Sequence, residues 1–218
     1  MKEKFIFVLL AVAVLVFNMV FVADNGQFGI TGRTITTVNI TEAIQANCIF
    51  NVPSGWNLIS FYCIGTQDAP VNIVGNLTNM VGIFRFHPGG GTDKWKSYNP
   101  NLPSWVVNDL TSMSKKDGYW IRMGSSQVFS YFGVLSDNNT ITLAEGWNLI
   151  GYPSPNSMAV NTTFGDVFGS YTHAEAYNRT VDQWLRFDPN SNNNTLNFTR
   201  PFMGFWINMT ATGSIDIS

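Results

Sequence analysis

Gly55-Trp56-Asn57-Leu58-Ile59 returns later in the chain as Gly146-Trp147-Asn148-Leu149-Ile150, and Gly118-Tyr119-Trp120-Ile121-Arg122-Met123 returns as Gly204-Phe205-Trp206-Ile207-Asn208-Met209. Between them, Trp95-Lys96-Ser97-Tyr98-Asn99-Pro100-Asn101 answers to Trp184-Leu185-Arg186-Phe187-Asp188-Pro189-Asn190. Self-similarity at a period of about ninety residues is the signature of one module used twice. Each copy must then close a small core of its own, which a segment of that length can do only thinly. The repeat divides the 218 residues into two modules, 48–134 and 135–218, preceded by residues 1–23 and a stalk over 24–47.

Local patterning within each copy predicts a strand-dominated α+β unit. Ile49, Phe50 and Val52 lead through Pro53-Ser54-Gly55 into an apolar run. Ile141 and Leu143 do the same through Ala144-Glu145-Gly146. Both stretches predict a hairpin with glycine in the turn. Val71, Val74, Leu77 and Val81 at spacings of three and four predict a short amphipathic helix, as do Val160, Phe164, Val167 and Phe168. A second hairpin is expected around Pro88-Gly89-Gly90-Gly91. Ser104 is placed to cap a helix through Val107, Leu110 and Met113, stopped by Gly118.

The N-terminus points to the cell exterior. Lys2 and Lys4 precede an apolar run over residues 5–23, interrupted only by Asn18. The run approaches bilayer-spanning length, and Phe21 stands where a signal-cleavage site prefers a small side chain. An uncleaved membrane helix and a cleaved secretion signal both place the body outside. Eight Asn-x-Thr acceptors, at Asn39, Asn76, Asn138, Asn161, Asn178, Asn193, Asn197 and Asn208, exceed the roughly two expected by chance and predict a glycoprotein. The only cysteines, Cys48 and Cys63, predict a disulfide in an exported chain. Their counterparts in the second copy are Asn139 and Ser154, so such a bond would belong to copy one alone.

Gly-Trp-Asn-Leu-Ile, the tryptophan hairpin and Gly-Tyr/Phe-Trp-Ile together resemble the tandem modules of exported archaeal and bacterial envelope proteins. The resemblance covers residues 48–218 and implies a cell-surface setting with a structural or accessory role. It carries no catalytic residues with it.

Candidate sites are sparse. Net charge is −2 and only 12% of residues are charged, which excludes the basic footprint of a nucleic-acid binder. The two histidines, His87 and His173, lack metal-pair spacing, and no nucleophile elbow or phosphate loop occurs. No cofactor, metal or enzyme activity is expected. Asp188 to Asn194 alternates side-chain oxygens as a calcium loop does, but lacks the central glycine and the closing glutamate. The paired tryptophans Trp56 and Trp147, Trp95 and Trp184, and Trp120 and Trp206 lie in apolar strands and are expected in the core. Trp105, whose counterpart is Ser191, is the candidate exposed contact, with His87, Gly89, Gly90 and Gly91 beside it in a binding loop. The expected role is structural or adhesive, anchored in the membrane and docking on an envelope protein or a second copy. A polysaccharide-binding module is the alternative.

Overall fold

The computed structural model describes residues 22–24, 27–29, 45–65, 68–89, 91–103, 105–135 and 138–217. The chain divides into two compact units, 1–41 and 42–218. In the first, β1 (Val22–Asp24) pairs antiparallel with β2 (Gln27–Gly29). The last two residues of the apolar run, Val22 and Ala23, are therefore strand. The rest of that run and Asn39 lie outside the described residues. Among the described residues no helix is long and apolar enough to cross a membrane.

The second unit is built from strands. Its first half runs β3 (Gln45–Val52), β4 (Gly55–Ile59), α1 (Pro70–Val74), β5 (Met80–Phe86), β6 (Trp95–Tyr98), β7 (Tyr119–Met123) and β8 (Gln127–Val134). Its second half runs β9 (Thr140–Leu143), β10 (Gly146–Gly151), β11 (Met158–Ala159), α2 (Val160–Thr163), β12 (Tyr171–Asn178), β13 (Gln183–Phe187), β14 (Phe198–Thr199), β15 (Gly204–Met209) and β16 (Gly213–Asp216). Four-stranded sheets form in the orders β4-β7-β5-β6 and β10-β15-β12-β13, and β3-β8 and β9-β16 pair separately. Both β5 and β12 break register where they meet their central strand, between Met80 and Gly82 and between Tyr171 and His173.

Neither expected glycine-turn hairpin forms. β3 pairs along its length with β8, and β4 with β7, so Pro53-Ser54-Gly55 carries the chain from one sheet to another. The same holds at Ala144-Glu145-Gly146. Gly55 (φ 87°) and Gly146 (φ 84°) adopt the left-handed conformation this corner requires. The following asparagine clamps it from inside. Buried Asn57 donates through Nδ2 to Pro53 O (2.8 Å) and Gly55 O (3.1 Å). Buried Asn148 donates to Ala144 O (2.7 Å) and Gly146 O (3.0 Å), and its Oδ1 accepts from Ala144 N (2.9 Å).

Strand alternation then sorts the remaining side chains. Ile83, Tyr119, Ile121 and Phe129 are fully buried in one core, and Phe164, Ala174, Phe205 and Ile207 in the other. Cys48 and Cys63 form the expected disulfide across 6.3 Å between Cα atoms, joining β3 to the turn after β4.

Two expected helices shrink and one does not form. After α1, Asn76 Nδ2 donates to Ser130 O (2.7 Å) and Gln127 Nε2 to Asn76 O (2.7 Å), drawing the chain onto β8. Val71 and Val81 consequently face solvent. In the second half α2 ends at Thr163, and Phe168 lies exposed beyond a 3₁₀ turn over Gly165–Val167. The segment 105–113 is irregular, because its side chains cover the free edge of β6. Asp109 Oδ1 accepts from Ser97 N (2.7 Å), Asn108 Oδ1 from Asn99 N (2.8 Å), and Leu110 N donates to Ser97 O (2.9 Å). The proposed cap residue, Ser104, lies outside the described residues.

Contacts between the halves come in reciprocal pairs. Ile59 bridges Met203, and Ile150 bridges Asp117. Ser60 N donates to Phe202 O (2.9 Å), and Gly151 N to Lys116 O (2.9 Å). A Cβ on Gly118 would stand 2.6 Å from Ile150 O, and one on Gly204 2.7 Å from Ile59 O. Gly118 was expected to end a helix. Both glycines serve instead to let two backbones touch.

Candidate functional site

The side of each four-stranded sheet opposite the core carries rings. On β4 and β7, Trp56 and Trp120 meet edge-on at 6.2 Å and 83°. Phe84 on β5 lies 5.6 Å from Trp56. From the other half, Tyr177 and Trp184 approach Trp120 at 5.6 Å and 5.8 Å. With Trp95 these rings line an open cleft of 480 Å³. Its rim is polar: exposed Arg122 stacks its guanidinium 5.8 Å over Trp56, and the Tyr177 hydroxyl donates to Asp182. Arg179 joins that rim, pairing with Asp182 (2.9 Å) and donating through Nε to Ser54 O (3.0 Å).

A second cleft of 320 Å³ repeats the first with the halves exchanged. Trp147 and Trp206 meet edge-on at 5.9 Å and 89°. Phe86 and Trp95 approach Trp206 at 5.1 Å and 6.0 Å, the roles Tyr177 and Trp184 play at Trp120. One position departs sharply. The residue opposite Trp120 is Phe84, whereas the residue opposite Trp206 is Glu175. Glu175 Oε1 lies 3.5 Å from Arg186 Nη1 and 3.6 Å from His173 Nε2. Burial, and then the Arg186 charge, lower the His173 pKa.

These rings overturn the expectation that the paired tryptophans are core residues. Trp56, Trp95, Trp147 and Trp184 are 44%, 45%, 40% and 49% exposed, and Trp120 and Trp206 are half-buried. Alternation explains it: Asn57 and Ile59 take the inward positions of β4, so Trp56 turns outward. Phe84, Phe86, Tyr177 and Glu175 were missed. A signal existed for them, since Trp120 shares its face with Arg122, and Trp184 with Arg186, at the period of a strand.

The expected binding loop sits elsewhere. Trp105 is 81% exposed. Gly89 and Gly91 lie in the turn after β5, and Gly90 is outside the described residues. His87 instead lines a polar cleft of 470 Å³ between the halves, with Arg85, Lys116 and Asp117. There Arg85 Nε is 3.1 Å from Asp117 Oδ2, and burial raises the Asp117 carboxyl above its ordinary range despite that cation.

Of the described glycosylation acceptors, Asn76, Asn138, Asn161, Asn193 and Asn197 are exposed, while Asn178 and Asn208 are half-buried. In the calcium-like loop the oxygens are spent on the turn: Asp188 Oδ1 accepts from Asn190 N (2.9 Å) and Asn194 Oδ1 from Asp188 N (2.7 Å). Among the described residues no group of three or more His, Cys, Asp or Glu side chains comes together. No family model, curated protein or solved structure matches this chain.

Proposed function

We propose that the chain is an extracytoplasmic, adhesive cell-surface protein, built from two copies of one module, that binds saccharide on its aromatic face. The observation that carries this reading is the set of tryptophans held 40–49% exposed at matched positions in both halves. Apolar surface left in water forgoes about 25 cal/mol per Å², so keeping four such rings uncovered costs the fold stability it could have had. Apolar patches of that kind mark interaction sites.

Saccharide fits better than an apolar protein partner. The clefts are open and floored by flat ring faces, whose electron-rich π surface attracts the C–H face of a pyranose. Arg122, Arg179 and the Tyr177 hydroxyl stand at the rim to hydrogen-bond sugar hydroxyls, the pairing of apolar wall and few polar groups typical of ligand sites. The disulfide supports the extracytoplasmic setting, and the apolar leader supports attachment to the membrane. Surface glycans at the exposed acceptors belong to the same proposal.

Titration with neutral linear hexasaccharides, followed by tryptophan fluorescence and calorimetry, tests it. Saturable binding that is lost in Trp56→Ala and retained in Trp105→Ala is expected. Absence of binding to every saccharide, with the purified chain forming oligomers or filaments through the same face, would replace adhesion to glycan by self-assembly.

A further inference from the structure

The two clefts are the same construction with opposite electrical character. At the first, the ring opposite Trp120 is Phe84 and the charged neighbour is a cation, Arg122, stacked on Trp56. At the second, Glu175 takes the place of Phe84, Asn208 the place of Arg122, and His173 the place of Gly82. A carboxylate thus stands among Phe86, Trp147, Trp184 and Trp206. Trp147 and Trp206 stand edge to face at 89°, and both line this one volume.

We propose that this second cleft binds an ammonium group, protonated or methylated, between its indole rings and Glu175. Ring quadrupoles attract a cation at about 6 Å from the centroid, most strongly for tryptophan. A neighbouring carboxylate adds charge complementarity in a partly desolvated site. The molecule already shows the attraction, since Lys94 Nζ lies 5.9 Å over Phe86. Two resident cations face the cleft, Lys94 and Arg186, and both side chains are exposed. Arg186 makes only a surface cross-strand pair with Glu175, which an entering cation can displace or share. Burial and then the Arg186 charge lower the His173 pKa, which disfavours an opposing charge there. At 320 Å³ the cleft suits a small cationic headgroup or one sugar ring.

The inference deepens the saccharide reading, where the ammonium would belong to an amino sugar, but its test does not depend on that reading. Choline and its uncharged isostere 3,3-dimethylbutan-1-ol are titrated against the full chain, with the probe's methyl protons observed by NMR. Choline should bind at least tenfold more tightly, with its methyl resonance moved upfield by the rings. Glu175→Gln should weaken choline about tenfold and leave the isostere unchanged. Phe84→Glu should create a second choline site in the first cleft, a gain that no folding defect can mimic. Equal binding of the two probes, or Glu175→Gln binding choline as wild type does, overturns the proposal. Glucosamine trimer and its N-acetylated form then separate sources. Preference for the free amine, abolished in Glu175→Gln, places the ammonium on a sugar, whereas choline binding with no binding of either trimer or of the neutral hexasaccharides leaves the cation site standing and removes the saccharide reading. Neutral hexasaccharide binding lost in Trp56→Ala, without choline binding, removes the cation site and leaves that reading intact.

Discussion

Asn57→Ala and Asn148→Ala should unfold the protein by different amounts, and the difference can be worked from their hydrogen bonds. Each asparagine is buried at the corner where the chain passes from one sheet to the next. Asn57 makes two bonds, to Pro53 O and Gly55 O. Asn148 makes three, because Ala144 N also donates to its Oδ1. At about 1 kcal/mol net per bond, the losses are about 2 and about 3 kcal/mol. Pro53 and Gly55 are only half-buried, so the larger penalty for stranded, fully buried groups is not applied to them. For a unit of this size, about 2–4 °C of melting temperature per kcal/mol predicts falls of about 4–8 °C and 6–12 °C. Differential scanning calorimetry of both variants, checked by urea midpoints, measures them. Two falls below about 1 °C would refute the clamp, and a larger fall for Asn57→Ala would refute the counting of bonds.

Gly118→Ala and Gly204→Ala should each cost several kcal/mol, since the added Cβ would stand 2.6–2.7 Å from a backbone oxygen of the opposite half that cannot move aside alone; wild-type urea midpoints would refute the close approach. Reduction of the Cys48–Cys63 bond, which closes a separation of 15 residues, should remove about 3 kcal/mol, read as a lowered urea midpoint that a Cys48→Ser, Cys63→Ser double variant reproduces without reductant. Asp117 carries a raised pKa in the folded chain, so the folded state holds its proton longer than the unfolded one, and stability should fall as pH rises upward from about 4. Asp117→Asn should flatten that fall in a pH series of unfolding midpoints, and an unchanged slope would show that Asp117 is not its source.

The strands were legible because period-two alternation and turn residues mark them in each half, and β5 with β6 pair as the local pattern predicts. Their partners were not. Pro53-Ser54-Gly55 reads as a hairpin turn in sequence, yet the strands on its two sides pair with β8 and β7, distant partners that no local pattern specifies. Helical spacing failed for a related reason. Val107 fits the helical pattern but is 82% exposed, while Asn108 and Asp109 spend their side chains on the edge of β6. Tryptophans were assigned to the core from their size, a prior that ignores which residue types occupy the alternate positions. Arg122 and Arg186, two residues after a tryptophan on a strand, carried the opposite message.

The matched sequence stretches also allow the two halves to be compared position by position. Positions that set the backbone are the same in both halves: Gly55 and Gly146 at the corner, Asn57 and Asn148 in the clamp, Gly118 and Gly204 where the halves touch. Inward positions such as Ile83 against Ala174 and Tyr119 against Phe205 change among residues that still fill a core, while the buried disulfide pair Cys48 and Cys63 gives way to Asn139 and Ser154. The outward tryptophans are identical, which packing alone does not demand of side chains left 40–49% in water. Around them the polar character changes without restraint: Phe84 against Glu175, Arg122 against Asn208, Gly82 against His173. Under the proposed saccharide reading, a face that holds its rings constant while varying the charges beside them would keep one mode of contact and alter what it selects. Stacking would supply the affinity the two clefts share, and the neighbouring side chains their difference.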